Sequence, residues 1–142
     1  MIALSLVACT VHTPFVGPGI DGNDVTTDHP GPFVFAVTYA RTAPGNSGRF
    51  GDLVERIQDQ LERSDGVVAW SLRADLPGRD NWTFSVWESE EAMWDFVTSE
   101  THVVAVDEAG ELLEDSAFTA WLEPDASSLP PRWQDGLDRL EP

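Results

Sequence analysis

The sequence contains no lysine. Its eight basic residues are all arginine, against 25 aspartates and glutamates, which gives a formal net charge of −17. Nucleic-acid binding depends on clustered Lys and Arg, so a nucleic-acid partner is not expected. The same shortage argues against docking on anionic lipid by charge alone. With 142 residues and a hydrophobic content of 42%, the chain is long and apolar enough for one domain with a core.

Cysteine is equally scarce. A single cysteine, Cys9, excludes a disulfide within the chain and any cysteine-based zinc cluster. No segment has the ~18 consecutive apolar residues that a membrane-spanning helix needs. The sequence also lacks a dinucleotide-binding glycine motif, a phosphate-binding loop and a nucleophile elbow. These absences argue against a dinucleotide-dependent dehydrogenase, a nucleotide triphosphatase with a phosphate-binding loop and a serine hydrolase with a nucleophile elbow.

The apolar run 1–8 leads into the tetrapeptide LVAC at residues 6–9. This tetrapeptide resembles a bacterial lipobox, in which small residues precede a cysteine that is lipidated and becomes the mature N-terminus. The run has no basic start and is short for a signal peptide, so residues 1–9 are expected to be a truncated lipoprotein signal. The resemblance implies a lipid anchor at Cys9 and a cell-envelope location. The alternative is an apolar terminus or first strand in a cytoplasmic protein.

Residues 10–32 are rich in glycine and proline and show neither helical nor strand periodicity. This composition predicts a flexible tether. The folded domain is therefore expected to span 33–142.

Hydrophobic periodicity predicts the elements of that domain. Strands are expected over 33–40, 67–74, 82–87 and 117–122, and helices over 48–63, from an N-cap at Ser89, over 103–113 and over 132–140. The order β-α-β-β-α-β is that of the ferredoxin-like fold, of class α+β. It places a four-stranded antiparallel sheet under helices on one face.

The strands carry large apolar residues on both faces. Phe33, Phe35 and Val37 share one face by the period of two. Phe84 and Trp87 are three positions apart on one strand, so their side chains are expected on opposite faces. A sheet with helices on one side leaves its second face uncovered, and an open apolar face needs a partner. A homodimer is therefore predicted.

The segment 82–97, WTFSVWESEEAMWDFV, resembles the dimeric α/β-barrel superfamily, in particular antibiotic-biosynthesis-monooxygenase-like domains. Those domains have a strand ending in a Val-Trp-Glu-Ser type motif, then a helix with an aromatic residue, then a histidine. Later segments, FTAWLEP at 118–124 and PPRW at 130–133, are similar to a branch with no assigned function. The resemblance covers about 33–141 and implies two protomers that pack sheet to sheet.

Enzymes of this superfamily include cofactor-independent oxygenases of aromatic polyketides and haem-degrading enzymes. The haem-degrading members use an asparagine on the first strand, a tryptophan on the second helix and a histidine ten positions later. Here those last two positions hold Phe96 and Val106, and the first strand has no asparagine. The resemblance therefore implies no haem chemistry, and no cofactor is predicted.

His102 is the only histidine of the predicted domain and the candidate catalytic residue, because imidazole titrates near neutral pH. The alternative is a histidine at a helix end that bonds a carbonyl. Further side chains are candidates for binding a planar ligand, although the tryptophans among them could instead fill the core: Trp70, Trp87, Tyr39, Asn81 and Arg73. One histidine without a ligand spacing predicts no metal site.

Two functions remain open at this stage. The first is a monooxygenase, or a small-molecule binder derived from one, that takes an aromatic or hydrophobic ligand between sheet and helices. The second is a non-catalytic, lipid-tethered dimeric interaction domain of the cell envelope. The polar groups of the cavity are the feature that separates them.

Overall fold

A computed structural model describes residues 9–140. Eight antiparallel strands form one sheet, in the order β4-β3-β2-β6-β7-β5-β8, with β1 also paired to β6. The strands are β1 (Cys9–His12), β2 (Val16–Gly17), β3 (Ile20–Asp21), β4 (Asp24–Val25), β5 (Phe33–Thr42), β6 (Val67–Leu76), β7 (Asp80–Trp87) and β8 (Leu113–Glu123). The helices are α1 (Ser47–Leu61), α2 (Glu90–Val97), α3 (Glu100–Gly110) and α4 (Trp133–Leu140).

The central part of the sheet confirms the predicted fold. Strands β6, β7, β5 and β8 lie side by side, and the connections through α1 and through α2 and α3 give the ferredoxin-like order. The predicted N-cap is also correct, because the Ser89 hydroxyl accepts a hydrogen bond of 3.1 Å from the Ala92 amide. Glu90 and Glu91 occupy the first turn of α2, where the helix dipole favours acidic groups.

We call the sheet surface under α1 and α2 the helix face. Val34 and Ala36 of β5 point to this face and pack with Leu61 of α1 and Met93 of α2. The apolar residues of α1 recur at helical spacing and form a stripe that provides the matching surface: Phe50, Leu53, Val54, Ile57 and Leu61. One layer of the core thus lies between the helices and the sheet.

The opposite surface, here the outer face, is not open as predicted. Its apolar half carries Phe35, Val37 and Phe84, and the chain's own Phe15 and Trp133 cover them. The expectation of an uncovered second face is therefore wrong. The physical reason is that the C-terminal helix folds back across the sheet and supplies the apolar surface that a partner would otherwise provide.

Helix α4 lies very close to the sheet. A Cβ atom added to Gly136 would stand 2.7 Å from Val37 Cγ2 and 3.1 Å from Phe84 Cε1, so glycine at this position permits the contact. The Trp133 indole donates a hydrogen bond of 3.0 Å to the buried Ser71 hydroxyl. Both observations identify α4 as an integral layer of the domain.

The prediction of a flexible tether over 10–32 is also wrong. Residues Cys9–His12 pair with β6, and Phe15 and Ile20 are buried in the outer-face core. The glycines here serve close contact, since a Cβ on Gly17 would lie 2.6 Å from the Val68 carbonyl oxygen. A composition typical of linkers therefore forms short strands and turns.

The predicted lipoprotein signal falls mainly on residues 1–8, which lie outside the described residues. Cys9 itself is exposed at the first position of β1. Within residues 9–140, no helix is long and apolar enough to cross a membrane.

Candidate functional site

A cavity of about 450 Å³ lies between α1 and the helix face of the sheet. Phe50 and Val54 of α1 form one wall, and strand β1 borders the opposite side. Short side chains from three neighbouring strands form the floor: Thr38 and Ala40 of β5, Leu72 and Ala74 of β6, and Asn81 and Thr83 of β7. The cavity exists because these floor residues do not fill the space beneath α1.

The strand register aligns the floor in two rows. Thr83 pairs with both Thr38 and Leu72, and Asn81 pairs with both Ala40 and Ala74. Residues directly opposite each other in a sheet share a face, so each row presents its side chains to the cavity. The result is a flat floor with two hydroxyls and one amide in an apolar surround.

The Asn81 side chain is oriented by the backbone. Its Nδ2 donates to the Arg79 carbonyl at 3.0 Å and to the Ala40 carbonyl at 3.5 Å. Within the described residues, no hydrogen bond reaches its Oδ1. That oxygen is therefore available to accept a hydrogen bond from a ligand. Of the predicted site residues, Asn81 is the one whose side chain points into the cavity.

His12, Arg73 and Trp82 also border the cavity, but the register places their side chains on the outer face. The Arg73 guanidinium lies there over the Trp82 ring, 5.4 Å from its centroid. The predicted ligand residue Arg73 thus borders the cavity without directing its charge into it. The cavity side chains that remain are uncharged and suit a neutral, mainly apolar molecule.

Tyr39 lies on the outer face in a polar cluster with Asp80 and Arg41. Its hydroxyl donates a hydrogen bond of 2.7 Å to Asp80 Oδ1, and Arg41 Nη1 donates to both carboxylate oxygens at 2.9 and 3.0 Å. Burial acts to raise the pKa of Asp80, but these hydrogen bonds and the charge of Arg41 lower it on balance. Burial and the Asp80 carboxylate raise the pKa of Tyr39. Tyr39 is thus separated from the cavity by the sheet.

His102 does not line the cavity. Its Nδ1 lies 3.0 Å from the Val97 carbonyl oxygen, and its ring centroid lies 4.8 Å from that of Phe96. Burial lowers the pKa of His102, although the contact with the Val97 carbonyl opposes this shift. The arrangement is that of a half-buried histidine in the first turn of α3, away from the cavity side chains.

Trp70 and Trp87 fill the core beneath α1 and α2. Both are buried, and the Trp87 indole donates a hydrogen bond of 2.9 Å to the Ser85 hydroxyl. The ring centroids of Trp87 and Phe96 are 5.1 Å apart. Neither tryptophan borders the cavity, although both lie on the same face of the sheet.

Most of the cavity residues are not among the candidates that the sequence predicts. Phe50 and Val54 belong to the apolar face of α1, and no sequence pattern distinguishes Thr38 and Thr83. The period of two offers one signal for the floor. It places alanines and threonines of neighbouring strands on the face under α1, and such small side chains leave space between the sheet and the helix. Among residues 9–140, no group of three or more His, Cys, Asp or Glu is placed to hold a metal ion.

Comparison with solved structures shows the fold. The Rv0793 protein of Mycobacterium tuberculosis is 19% identical with a TM-score of 0.61, over 66% of this chain and 96% of that one. SnoaB, a cofactor-independent oxygenase from Streptomyces nogalater, is 15% identical with a TM-score of 0.60, over 70% of this chain and 99% of that one. About a third of this chain therefore has no counterpart in these structures.

Sequence comparison identifies the family. A search of curated protein sequences gives no match. The model of the antibiotic biosynthesis monooxygenase family matches residues 33–108, which is more than half of the chain. The matched region begins with β5 and includes α1, β6 and β7, which build the floor and the helical wall of the cavity. The chain therefore belongs to the antibiotic biosynthesis monooxygenase family.

Proposed function

We propose that the domain binds a small aromatic molecule in the cavity between α1 and the sheet. The observation that carries this proposal is the floor, where Thr38, Asn81 and Thr83 present polar groups within an otherwise apolar space. The volume of about 450 Å³ is typical of sites for small ligands. Family membership supports the same class of function.

The shape of the site favours a planar ligand. The floor is a sheet surface of short side chains, and Phe50 and Val54 face it from α1. An aromatic ring system between these surfaces would bury both of its faces, and each buried CH₂-sized group contributes about 0.8 kcal/mol. A phenolic hydroxyl on the ring would donate to Asn81 Oδ1, a free acceptor in the floor.

Cofactor-independent oxygenation is the specific activity that we propose for this site. Family membership and the fold shared with SnoaB, a cofactor-independent oxygenase, support it. A hydroxylated anthrone is a suitable substrate class, because its CH₂ group is acidic. Loss of a proton gives a carbanion that reacts with O₂, and the CH₂ and O₂ together yield a C=O and water. The cavity side chains would bind and orient the ring, and the proton would pass to water at the open mouth.

Binding and turnover are tested separately. The probe for binding is 1,8-dihydroxyanthraquinone, titrated by calorimetry. Ala74→Trp fills the floor and is expected to weaken binding by at least about tenfold, because the indole occupies the volume of the ligand. Ala117→Trp, exposed on the outer face of β8, is the matched control and should bind like the wild type. Unchanged affinity in a folded Ala74→Trp protein would contradict the proposed site.

Turnover is measured as oxygen uptake with 1,8-dihydroxyanthrone. An uptake rate above that of buffer, lost in Ala74→Trp, is the expected result. Binding of the anthraquinone without any protein-dependent oxygen uptake would contradict the oxygenase and leave a binding domain. That outcome corresponds to the alternative of a non-catalytic domain.

We also propose a lipid anchor at Cys9, which would place the domain at the cell envelope. The lipobox-like tetrapeptide at 6–9 and the exposure of Cys9 support this location. Because β1 begins at Cys9, the anchored domain would lie directly against the membrane. Mass spectrometry of the mature protein from its host should find a lipidated Cys9, and Cys9→Ser should move the protein to the soluble fraction. An intact Met1 with an unmodified Cys9 would contradict the anchor.

A homodimer remains a proposal, with a different surface from the one that the sequence suggested. Among the described strands, β8 pairs only with β5, so its other edge is free to pair with a second copy. Phe118 and Leu122 on this strand are 51% and 57% exposed. Antiparallel self-pairing would bring the two copies of Phe118 together. Sedimentation should give twice the chain mass of 15.6 kDa, and Phe118→Asp should give a single-chain mass. A wild-type protein of single-chain mass at micromolar concentration would contradict the dimer.

A further inference from the structure

The strand β1 borders the ligand cavity from outside the family domain. Val11 and Thr13 both line the cavity, and Val11 pairs directly with Ala74 of the floor. Because paired residues share a face, the Val11 side chain stands beside the floor on the helix face. Its side chain is 47% exposed although its backbone is paired, as expected for a residue in the wall of an open cavity.

Hydrogen bonds between Thr13, which follows β1, and residues 71 and 72 of β6 hold the end of β1 in place. The Thr13 amide donates to the Leu72 carbonyl at 2.8 Å, and the Leu72 amide donates to the Thr13 hydroxyl at 2.9 Å. The Ser71 hydroxyl donates to the Thr13 carbonyl at 2.7 Å. The strand therefore has a defined position at the edge of the cavity.

The core of the outer face holds the same segment from the other side. Two residues after Thr13, Phe15 is buried, with its ring centroid 5.3 Å from that of Phe84 and 6.2 Å from that of Trp133. The segment thus passes from the wall of the cavity into the packed outer layer. A wall anchored in this way keeps its place when the cavity is empty.

The family match begins at residue 33, after β1. The floor and the α1 wall come from the matched region, whereas Val11 and Thr13 come from the preceding segment. The cavity of this protein is therefore completed by an element that the family model does not include.

We propose that β1 is a specificity-determining wall of the ligand site, with Val11 as its principal contact. This inference rests on the proposed binding of an aromatic molecule in the cavity. Val11 limits how far a ring system extends across the floor beyond β6. A ring system that reaches past Ala74 meets the Val11 side chain.

The test compares two neighbouring residues whose side chains lie on opposite faces. Val11→Trp should weaken binding of 1,8-dihydroxyanthraquinone by at least about tenfold, because the indole extends over the floor. Thr10→Ala, at a residue of β1 that lies on the outer face and does not line the cavity, should change the affinity by less than about twofold. Val11→Ala should widen the site and raise the affinity for a linear four-ring quinone relative to the three-ring probe.

The outcomes separate this inference from the proposed function. Wild-type affinity in a folded Val11→Trp protein, with binding lost in Ala74→Trp, would overturn the role of β1 and keep the cavity as the site. Wild-type affinity in both variants would overturn the cavity itself. Circular dichroism on each variant establishes that it is folded. An unchanged preference between three-ring and four-ring quinones in Val11→Ala would also count against β1 as a wall of the ligand site.

Discussion

The two faces of the sheet use side-chain size in opposite ways. On the outer face, large rings meet each other: the centroids of Phe84 and Trp133 are 5.5 Å apart, and those of Phe35 and Trp121 are 5.6 Å apart. On the helix face beneath the start of α1, alanine and threonine leave a cavity. The filled surface contributes stability, whereas the unfilled one is the proposed ligand site.

The helix face itself shows the same contrast along the strands. At one end Trp70 and Trp87 fill the space under the helices. At the other end of the same strands, the smaller residues Ala74 and Thr83 lie on the same face as these tryptophans. Substitutions in the filled regions should therefore change the free energy of unfolding, and substitutions in the cavity should change ligand affinity.

Trp133→Ala tests the filled outer face and has the largest expected effect. The substitution removes a buried indole and leaves the Ser71 hydroxyl without its donor, so the free energy of unfolding should fall by about 3–5 kcal/mol. Trp94→Ala is the matched control, because Trp94 is 48% exposed on α2. It should change the stability by less than about 1 kcal/mol.

Urea denaturation measures both variants. Equal losses of stability for the two substitutions would contradict the view that α4 is an integral layer of the domain. Loss of anthraquinone binding in a folded Trp133→Ala protein would contradict the separation between the two faces.

His102→Ala has a smaller expected effect, on stability alone. The substitution removes the contact with the Val97 carbonyl and should lower the free energy of unfolding by about 1 kcal/mol. Because the ring does not line the cavity, affinity for the anthraquinone should stay within about twofold of the wild type. A loss of affinity or turnover with unchanged stability would instead make His102 part of the site.

The pH dependence of His102 gives a second measurement. Burial lowers its pKa below the ordinary value, so the unfolded chain takes up the proton before the folded protein does. The contribution of His102 to stability is therefore complete above the unfolded pKa of about 6.5 and declines as the pH falls through that value. His102→Ala should make the free energy of unfolding fall less steeply over this pH range. An identical pH profile of stability in the variant would contradict a lowered pKa for His102.

Asp80→Asn has the smallest expected effect. Hydrogen bonds from Tyr39 and Arg41 lower the pKa of Asp80 against the opposing effect of burial. Its contribution is present above the unfolded pKa of about 4 and is lost as the pH falls through the lower folded pKa. The side chain of Arg41 is 38% exposed, so the difference between wild type and variant at pH 7 should stay below about 1 kcal/mol. A loss of stability at pH 7 larger than this would contradict a minor role for Asp80. So would a midpoint of thermal unfolding that falls at acid pH in the variant as steeply as in the wild type.

The sequence predicts the matched domain well and the added segments badly. The helix α1, the strands β6 and β7 and the cap at Ser89 follow from local patterns, and the structure confirms them. The strands of the N-terminal segment after β1 are two residues long, too short to show a period of two. Their position depends on distant contacts, such as Phe15 against Phe84, that no local pattern contains.

The site was harder to predict than the fold. Of the candidate ligand contacts, Asn81 lines the cavity, whereas Trp70 and Trp87 are buried in the core. The period of two assigns them to a face, but only the path of α1 decides which part of that face is filled. Val11 could not be found, because its role depends on β1 pairing with β6 across more than sixty residues of sequence.

The central claim is that the ligand site lies on the helix face and that the outer face is closed. Mapping the binding of 1,8-dihydroxyanthraquinone by shifts of backbone amide resonances tests it most directly. The account predicts the largest shifts at Val11, Ala74 and Asn81, with small shifts at Ser71 and Gly136. Shifts concentrated at Ser71 and Gly136, with Ala74 and Asn81 unchanged, would contradict it.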